Sequence, residues 1–209
     1  YVIMGDHRCK QPVPSVNVDY RAVGRMAVQH LSSLGHRYIG FLGASMQFVY
    51  QKEILEGFRA ALKERGLSDD KPRLPGRGQG LIANASLWKD PKDKSLMEWL
   101  GNARPKLTAL FMPEFEWAAV VYEILRKARM EIPKEISLLG CRLGSVAAGY
   151  QNFTCIDLPL AEVGHYSASL LHRIVSEPDA ASREIRLAPS LIEGRSTCFS
   201  GGPENLSAN

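Results

Sequence analysis

Apolar residues along this 209-residue chain switch repeatedly between two spacings, short near-continuous runs and stretches recurring every three or four positions. The first spacing suits buried strands and the second suits helices with one apolar face. A first short strand reads at Val2 to Gly5. Asp19 then offers an N-cap to a helix whose apolar positions Val23, Ala27, Leu31 and Leu34 end at Gly35, and an Asp cap with a Gly stop is the expected punctuation. A strand follows at Tyr38 to Leu42. The next helix, about Gln47 to Arg65, shows Ile54, Phe58 and Leu62 on one face and stops at Gly66. From Leu67 to Gly80 periodicity is lost, and KPRLPGRGQG reads as a loop.

The alternation then resumes. A short strand near Leu81 to Ala83 leads to a helix from Asp90-Pro91 to Gly101, with Pro at the first helical position. Next come a strand at Leu107 to Met112, a helix from Glu114 or Phe115 to Arg129 carrying Val120, Ile124 and Leu125, and a strand at Glu135 to Gly140. A strand at Thr154 to Asp157 and a helix from Pro159 to Val175 follow, with Val163, Leu170, Leu171 and Ile174 as the core stripe. Strands at Arg183 to Leu187 and Leu191 to Arg195 precede a tail, Phe199 to Asn209, whose Gly, Ser and Asn content predicts disorder. Strands alternating with helices over most of the chain predict an α/β fold with a mostly parallel sheet.

Composition narrows the function classes. Hydrophobic residues make up 45% and charged residues 23%, which is ordinary for a globular chain. The net charge of +4 is spread thinly, so it forms no nucleic-acid footprint. No apolar run approaches the roughly 20 residues that span a bilayer, and YVIMGD is too short for a leader, so the chain reads as soluble. Cys9, Cys141, Cys155 and Cys198 make no CxxC spacing and read as buried thiols. His165 and His172 have no carboxylate or cysteine at ligand spacing, and His30 and His36 flank a helix end where they would meet its last carbonyls. GASMQ, Gly43 to Gln47, lacks the second Gly of a nucleophile elbow, and GRGQG, Gly76 to Gly80, follows no strand. No catalytic constellation, metal set or cofactor motif is expected.

In an open parallel sheet, ligands bind beyond the carboxyl ends of the strands. That rule selects Gly43 to Lys52, Asn84 to Trp88, Met112 to Glu116 and Gly140 to Leu143, and within them Lys52, Trp88, Glu114 and Arg142, with Ser45 and Gln47 as weaker choices. A base, an aromatic ring and an acid in one crevice suit a polar small molecule. The alternative is structural: Lys52 and Glu114 solvated at helix starts, Trp88 covering a loop, and Arg142 paired with Glu114.

Several strings resemble the lactose-repressor and galactose-repressor (LacI/GalR) family of sugar-responsive transcription regulators. They are PSVNVDYRAVGRMAVQHLSSLGHRYIGFLGA at Pro14 to Ala44, LEGFRAALKERGL at Leu55 to Leu67, IPKEISLLG at Ile132 to Gly140, and FTCIDLPLAEVGHYSASLLHRI followed by LIEGRST. The resemblance covers roughly Val2 to Thr197 and implies a Rossmann-like, periplasmic-binding-protein-like fold of two lobes, the second nearly complete and the first partial. It divides the chain into 1–18, the end of the first lobe; 19–157, the second effector-binding lobe; 158–188, a return to the first lobe; 189–198, a closing strand of the second; and the tail 199–209.

The same resemblance implies ligand contacts at Asp6, Lys52, Glu114 and Arg142. The family commonly has aspartate, arginine, asparagine and aspartate there, so only Asp6 is kept. Lysine offers a point charge where arginine would fork. Either the crevice takes a different effector, one with an anionic group held by Arg142 and Lys52, or Glu114 and Arg142 close it as an ion pair. The implied partners are a sugar or sugar-like effector and a second copy of the chain, met along Trp117 to Arg129 and Val146 to Tyr150. DNA would be gripped only through a helix-turn-helix region outside these residues, with no membrane partner and a cytoplasmic location. A plain core stripe accounts equally for Ala118 to Tyr122. The runner-up is a solute-binding protein of a sugar transporter, and an enzyme ranks last.

Overall fold

The computed structural model of the chain describes residues 1–5, 13–43, 48–67, 78–79, 82–84, 95–102, 106–142, 152–177 and 184–201. The elements in chain order are β1 (Ile3–Met4), β2 (Ser15–Val18), α1 (Tyr20–Ser33), β3 (Ile39–Gly43), α2 (Val49–Glu64), β4 (Gly78–Gln79), β5 (Ile82–Asn84), α3 (Ser95–Asn102), β6 (Ala109–Met112), α4 (Phe115–Lys127), β7 (Ser137–Arg142), β8 (Cys155–Asp157), α5 (Leu160–Ser176), β9 (Glu184–Leu187) and β10 (Ser190–Ile192). They build two sheets. The larger has the order β10-β8-β7-β6-β3-β5-β4 and the smaller β1-β2-β9. From β5 through β3, β6 and β7 to β8 every pairing is parallel, while β4 and β10 add antiparallel edges. The fold is mixed α/β with mostly parallel sheets.

The central strands are apolar throughout because both faces of the large sheet are covered. Alternate side chains divide between two cores. Ile39, Phe41, Ala109, Phe111, Leu139 and Cys141 pack with α1 and α2. Leu42, Leu110, Met112 and Leu138 pack with α3 and α4. Phe41 meets Phe58 of α2 edge-on at 5.2 Å between centroids, and Phe58 stacks on Phe111 at 5.9 Å. Val16 and Val18 of β2 and Val163 and Leu170 of α5 join the first core, which ties the small sheet to the large one.

Helices α1 and α2 cross at two glycines. A Cβ on Gly24 would fall onto the Ile54 carbonyl oxygen, and one on Gly57 onto the Arg21 carbonyl oxygen. The helix axes approach this closely because neither position carries a side chain. Asp19 starts α1 by accepting the Ala22 amide at 3.0 Å, and its own amide donates to Leu187 of β9 at 2.8 Å. The first turn of α1 is thereby anchored to the small sheet.

At the opposite end of the large sheet, Gly35 leaves α1 with φ +82°, a left-handed value natural to glycine at a helix end. His36, which follows, is buried. A carbonyl can only accept, so the His36 Nε2 proton faces the Cys198 carbonyl at 2.9 Å, and Nδ1 receives the Thr108 hydroxyl at 3.0 Å. Ser137 Oγ lies 3.1 Å from Nε2 and accepts the Cys198 amide at 3.0 Å. Burial lowers the His36 pKa; the Cys198 carbonyl opposes that and His30 adds to it. His30 reaches the Thr197 hydroxyl at 3.1 Å, and burial lowers its pKa too, against the pull of Glu193.

Several expectations need correction. Ser15–Val18 forms the middle strand of the small sheet, although its sequence SVNV shows weak periodicity. Gly78 and Gln79 were expected in a loop but pair with β5 across a short antiparallel ladder. Leu171, expected in the core stripe of α5, is 42% exposed. Residues 199–201 of the expected disordered tail are placed by a Ser200 amide to Leu34 carbonyl bond of 2.8 Å. The two histidines meet side chains and the C-terminal segment rather than the last carbonyls of α1. The expected helix start at Asp90-Pro91 and the tail from residue 202 lie outside the described residues.

Two predictions follow from packing and from the histidine network. Gly57→Ala is expected to lower unfolding free energy by about 2 kcal/mol or more, since the helices must part. Gly164→Ala, in α5 with nothing within 4 Å of the added Cβ, should raise it by about 0.5–1 kcal/mol. Urea titration measures both, and equal effects would contradict the crossing. The lowered His36 and His30 pKa values mean the unfolded chain binds more protons below its ordinary 6.5. Their contribution is therefore complete above that pH and lost as pH falls from 6.5 through the folded values. Proton NMR of the imidazoles should place both midpoints below 6.5, and a midpoint above it would refute the burial argument.

Candidate functional site

The C-terminal ends of β3, β6, β7 and β8 lie side by side, and the first turn of α2 starts above them. Glu114, separated from the end of β6 by one residue, occupies the N-cap position of α4, in extended conformation, without capping that helix through its side chain. Its carboxylate is turned to α2 instead. Glu114 Oε1 accepts the Tyr50 hydroxyl at 2.8 Å and the Gln51 Nε2 amide at 2.9 Å. Gln51 is wholly buried, and its Oε1 has no partner among the described residues. Such an orphaned buried acceptor is uncommon and costs roughly 1–3 kcal/mol.

Tyr50 is itself held between aromatic rings. Phe48 stacks on it at 5.6 Å and 27°, and Tyr20, the first residue of α1, meets it at 5.5 Å and 44°. Phe48 remains 53% exposed, an apolar ring offered at the rim. On the β7–β8 side, Arg142 Nε donates to Asp157 Oδ1 at 2.8 Å, both side chains being about 30% exposed (31% and 28%). The hydrogen bond to Asp157 raises the Arg142 pKa further, against partial desolvation. Beneath the rim, burial drives the Cys141 thiol well above its ordinary range, aided by Cys155 and Glu114, and burial also raises Cys155. Both thiols stay protonated and are poor nucleophiles.

Of the residues selected from sequence, Glu114 and Arg142 stand on this rim. Of the two alternatives for them, the mutual ion pair is not formed: the parallel register puts Asp157 opposite Arg142, while Glu114 turns toward α2. Lys52 lies in the first turn of α2 on its exposed side, with no ion pair among the described residues. Asp6, Trp88, Ser45 and Gln47 lie outside the described residues. Tyr20, Phe48, Tyr50, Gln51 and Asp157 were missed. For Gln51 a signal existed, because it continues the buried spacing Gln51, Ile54, Leu55, Phe58 with a polar residue.

Away from the rim, a hollow of about 390 Å³ is lined by Asp19, Arg21, Ala22, Arg25, Glu53 and Arg186. Its arginines already answer carboxylates: Arg21 with Glu56, Arg25 with Glu64, and Arg186 with Glu53 and Glu184. Exposed pairs of this kind contribute little to stability. Among the described residues no group of three His, Cys, Asp or Glu side chains could hold a metal ion. No described helix is long and apolar enough to cross a membrane.

Known proteins share this fold. The periplasmic binding protein-like domain family matches residues 28–197. The ribose operon repressor of Escherichia coli (strain K12) is 26% identical over 175 residues, 81% of this chain and 49% of the repressor. The HTH-type transcriptional regulator CelR of Thermobifida fusca is 26% identical over 170 residues, 80% of this chain and 47% of CelR. A LacI family regulator of Enterococcus faecium with bound ribose superposes with a TM-score of 0.76 at 22% identity, over 95% of this chain and 70% of that one. A CelR–cellobiose complex gives 0.74 at 21%, over 94% and 57%. The chain spans about half the length of these sequence relatives. It belongs to the periplasmic binding protein-like domain family, and the relatives it matches are transcriptional regulators of the LacI type.

Proposed function

We propose that this chain is the effector-binding and dimerisation part of a LacI/GalR-type transcription regulator, taking a sugar or sugar-like polar molecule at the rim formed by Glu114, Tyr50, Gln51, Phe48 and Arg142. The observation that carries the reading is the Glu114 carboxylate, oriented by two neutral donors at the carboxyl ends of the strands. Parallel α/β sheets take ligands at that end. The two-sheet arrangement supports assigning 1–18 and 158–188 to one lobe and 19–157 with 189–198 to the other. Asp6 and Trp88 are proposed as further contacts, and Lys52 as a charge at the mouth. DNA would be bound by a helix-turn-helix region beyond the residues given, in the cytoplasm, by a dimer meeting through α4. The relatives are regulators rather than transport components, which favours this reading over a solute-binding protein, and none is named as an enzyme.

The rim is linked to the lobe junction through few residues. Ligand pressure on Glu114 passes to Tyr50, from Tyr50 to Tyr20, and from Tyr20 to Asp19, whose amide is bonded to the small sheet. A ligand that fits one lobe arrangement better than another shifts the population between them, and only by its difference in affinity. Calorimetry with pentoses, hexoses, disaccharides, sugar phosphates and nucleosides should find a ligand whose affinity falls about tenfold or more in Glu114→Ala. Binding that persists unchanged in both Glu114→Ala and Arg142→Ala would place the site elsewhere.

A further inference from the structure

Glu114 lacks the counter-charge that a carboxylate at a part-buried position ordinarily has. Its two bonds come from the neutral Tyr50 hydroxyl and the neutral Gln51 amide, and both fall on the same oxygen, Oε1. Among the described residues no cation reaches it. Arg142, the cation across the rim, has its Nε taken by Asp157, so that pair is neutral as a unit. Lys52 stands on the exposed side of α2.

The Gln51 amide adds a second, independent sign. It is completely buried, spends its Nε2 on Glu114 and leaves its Oε1 without a donor. A carboxamide that only filled space would be replaced by an apolar side chain at no such loss, since its neighbours in the stripe are Ile54, Leu55 and Phe58. The fold thus carries an unpaired acceptor where it aims a carboxylate whose second oxygen, Oε2, has no partner among the described residues. The nearest ring, Tyr50, meets the carboxylate through its hydroxyl edge and is itself stacked on Phe48, whose exposed side lies open at the rim. A carboxylate met only by neutral donors attracts a cation, whose charged N–H makes the stronger bond.

From this geometry we infer that the rim selects an amine-bearing polyol, an amino sugar in chemical class, whose ammonium group supplies the missing counter-charge of Glu114 while its hydroxylated ring lies against Phe48. The ammonium donates to Glu114 Oε2, which the bonds on Oε1 leave available. A neutral sugar offers the same oxygen only a hydroxyl, which makes a weaker bond than a charged donor. The inference rests on the proposed effector role of this rim and adds the charge of the effector. It also reverses the expectation of an anionic ligand, because the fixed guanidinium is already answered by Asp157.

Matched pairs test it: glucosamine against glucose, galactosamine against galactose and mannosamine against mannose, by calorimetry at about pH 6.5, where the amine is cationic. The expected result is a preference of about tenfold or more for at least one amine over its hydroxyl partner. That preference should fall to about onefold in Glu114→Gln, which keeps the shape and removes the charge. The N-acetylated form of the preferred amine should bind the unaltered protein at least about tenfold more weakly than the free amine, a comparison that needs no variant to fold. If hydroxyl partners bind as well or better, or if the preference survives in Glu114→Gln, the amine assignment is overturned while the effector role of the rim stands. If no member of the set binds a chain with a native circular dichroism spectrum, the amine assignment falls, and the effector role falls with it when the pentoses, disaccharides, sugar phosphates and nucleosides fail as well.

Discussion

The close crossing of α1 and α2 sets the geometry on which the rest of the lobe depends. Gly24 and Gly57 leave no space for a β-carbon, so each helix rests on the other's backbone. Phe58 is thereby pressed between Phe41 and Phe111 of the sheet. A well-packed interior transmits such placement over distance because its side chains cannot slide independently. The helices begin on the same side as the strand ends, so the crossing also fixes where Tyr20 and Tyr50 meet and where Gln51 enters the core. The rim is in this sense a product of packing several turns away from it.

That origin accounts for the chemistry at Glu114. A carboxylate on a flexible loop would choose its own solvent-facing rotamer. Here two donors from the first turn of α2 hold one oxygen, and the helix that brings them is clamped to α1 at Gly24 and Gly57. The opposite end of the sheet is fastened by different means. His36 gathers Thr108, Ser137 and the Cys198 carbonyl, so the C-terminal segment is bound where the strands begin. Rim and base are built from separate networks, and ligand events at the one need not loosen the other.

The fold was largely legible in the sequence because its core strands are continuous apolar runs and its helices keep clean spacing with Asp19, Gly35 and Gly66 as punctuation. What escaped was structure made by partners rather than by local pattern. SVNV becomes a strand only because β1 and β9 flank it, and Gly78-Gln79 only because β5 runs alongside. The site was legible in part: the rule of strand ends found Glu114 and Arg142, but whether they pair with each other stayed open. Register decides that point, since Asp157 stands across from Arg142 in the β7–β8 ladder. Tyr50 and Gln51 are functional neighbours of Glu114 across a gap of more than 60 sequence positions, 64 and 63, and no local spacing shows such a pairing.

The claim that a ligand is read at the rim and passed through the starts of α1 and α2 is tested most directly by hydrogen–deuterium exchange with and without a saturating bound sugar. Protection is predicted over residues 20–24, 49–53 and 112–118, with residues 195–200 at the base unchanged. Protection centred instead on the arginine-lined hollow around Arg21, Arg25 and Arg186, with exchange at 49–53 and 112–118 unaltered by the ligand, would contradict the account.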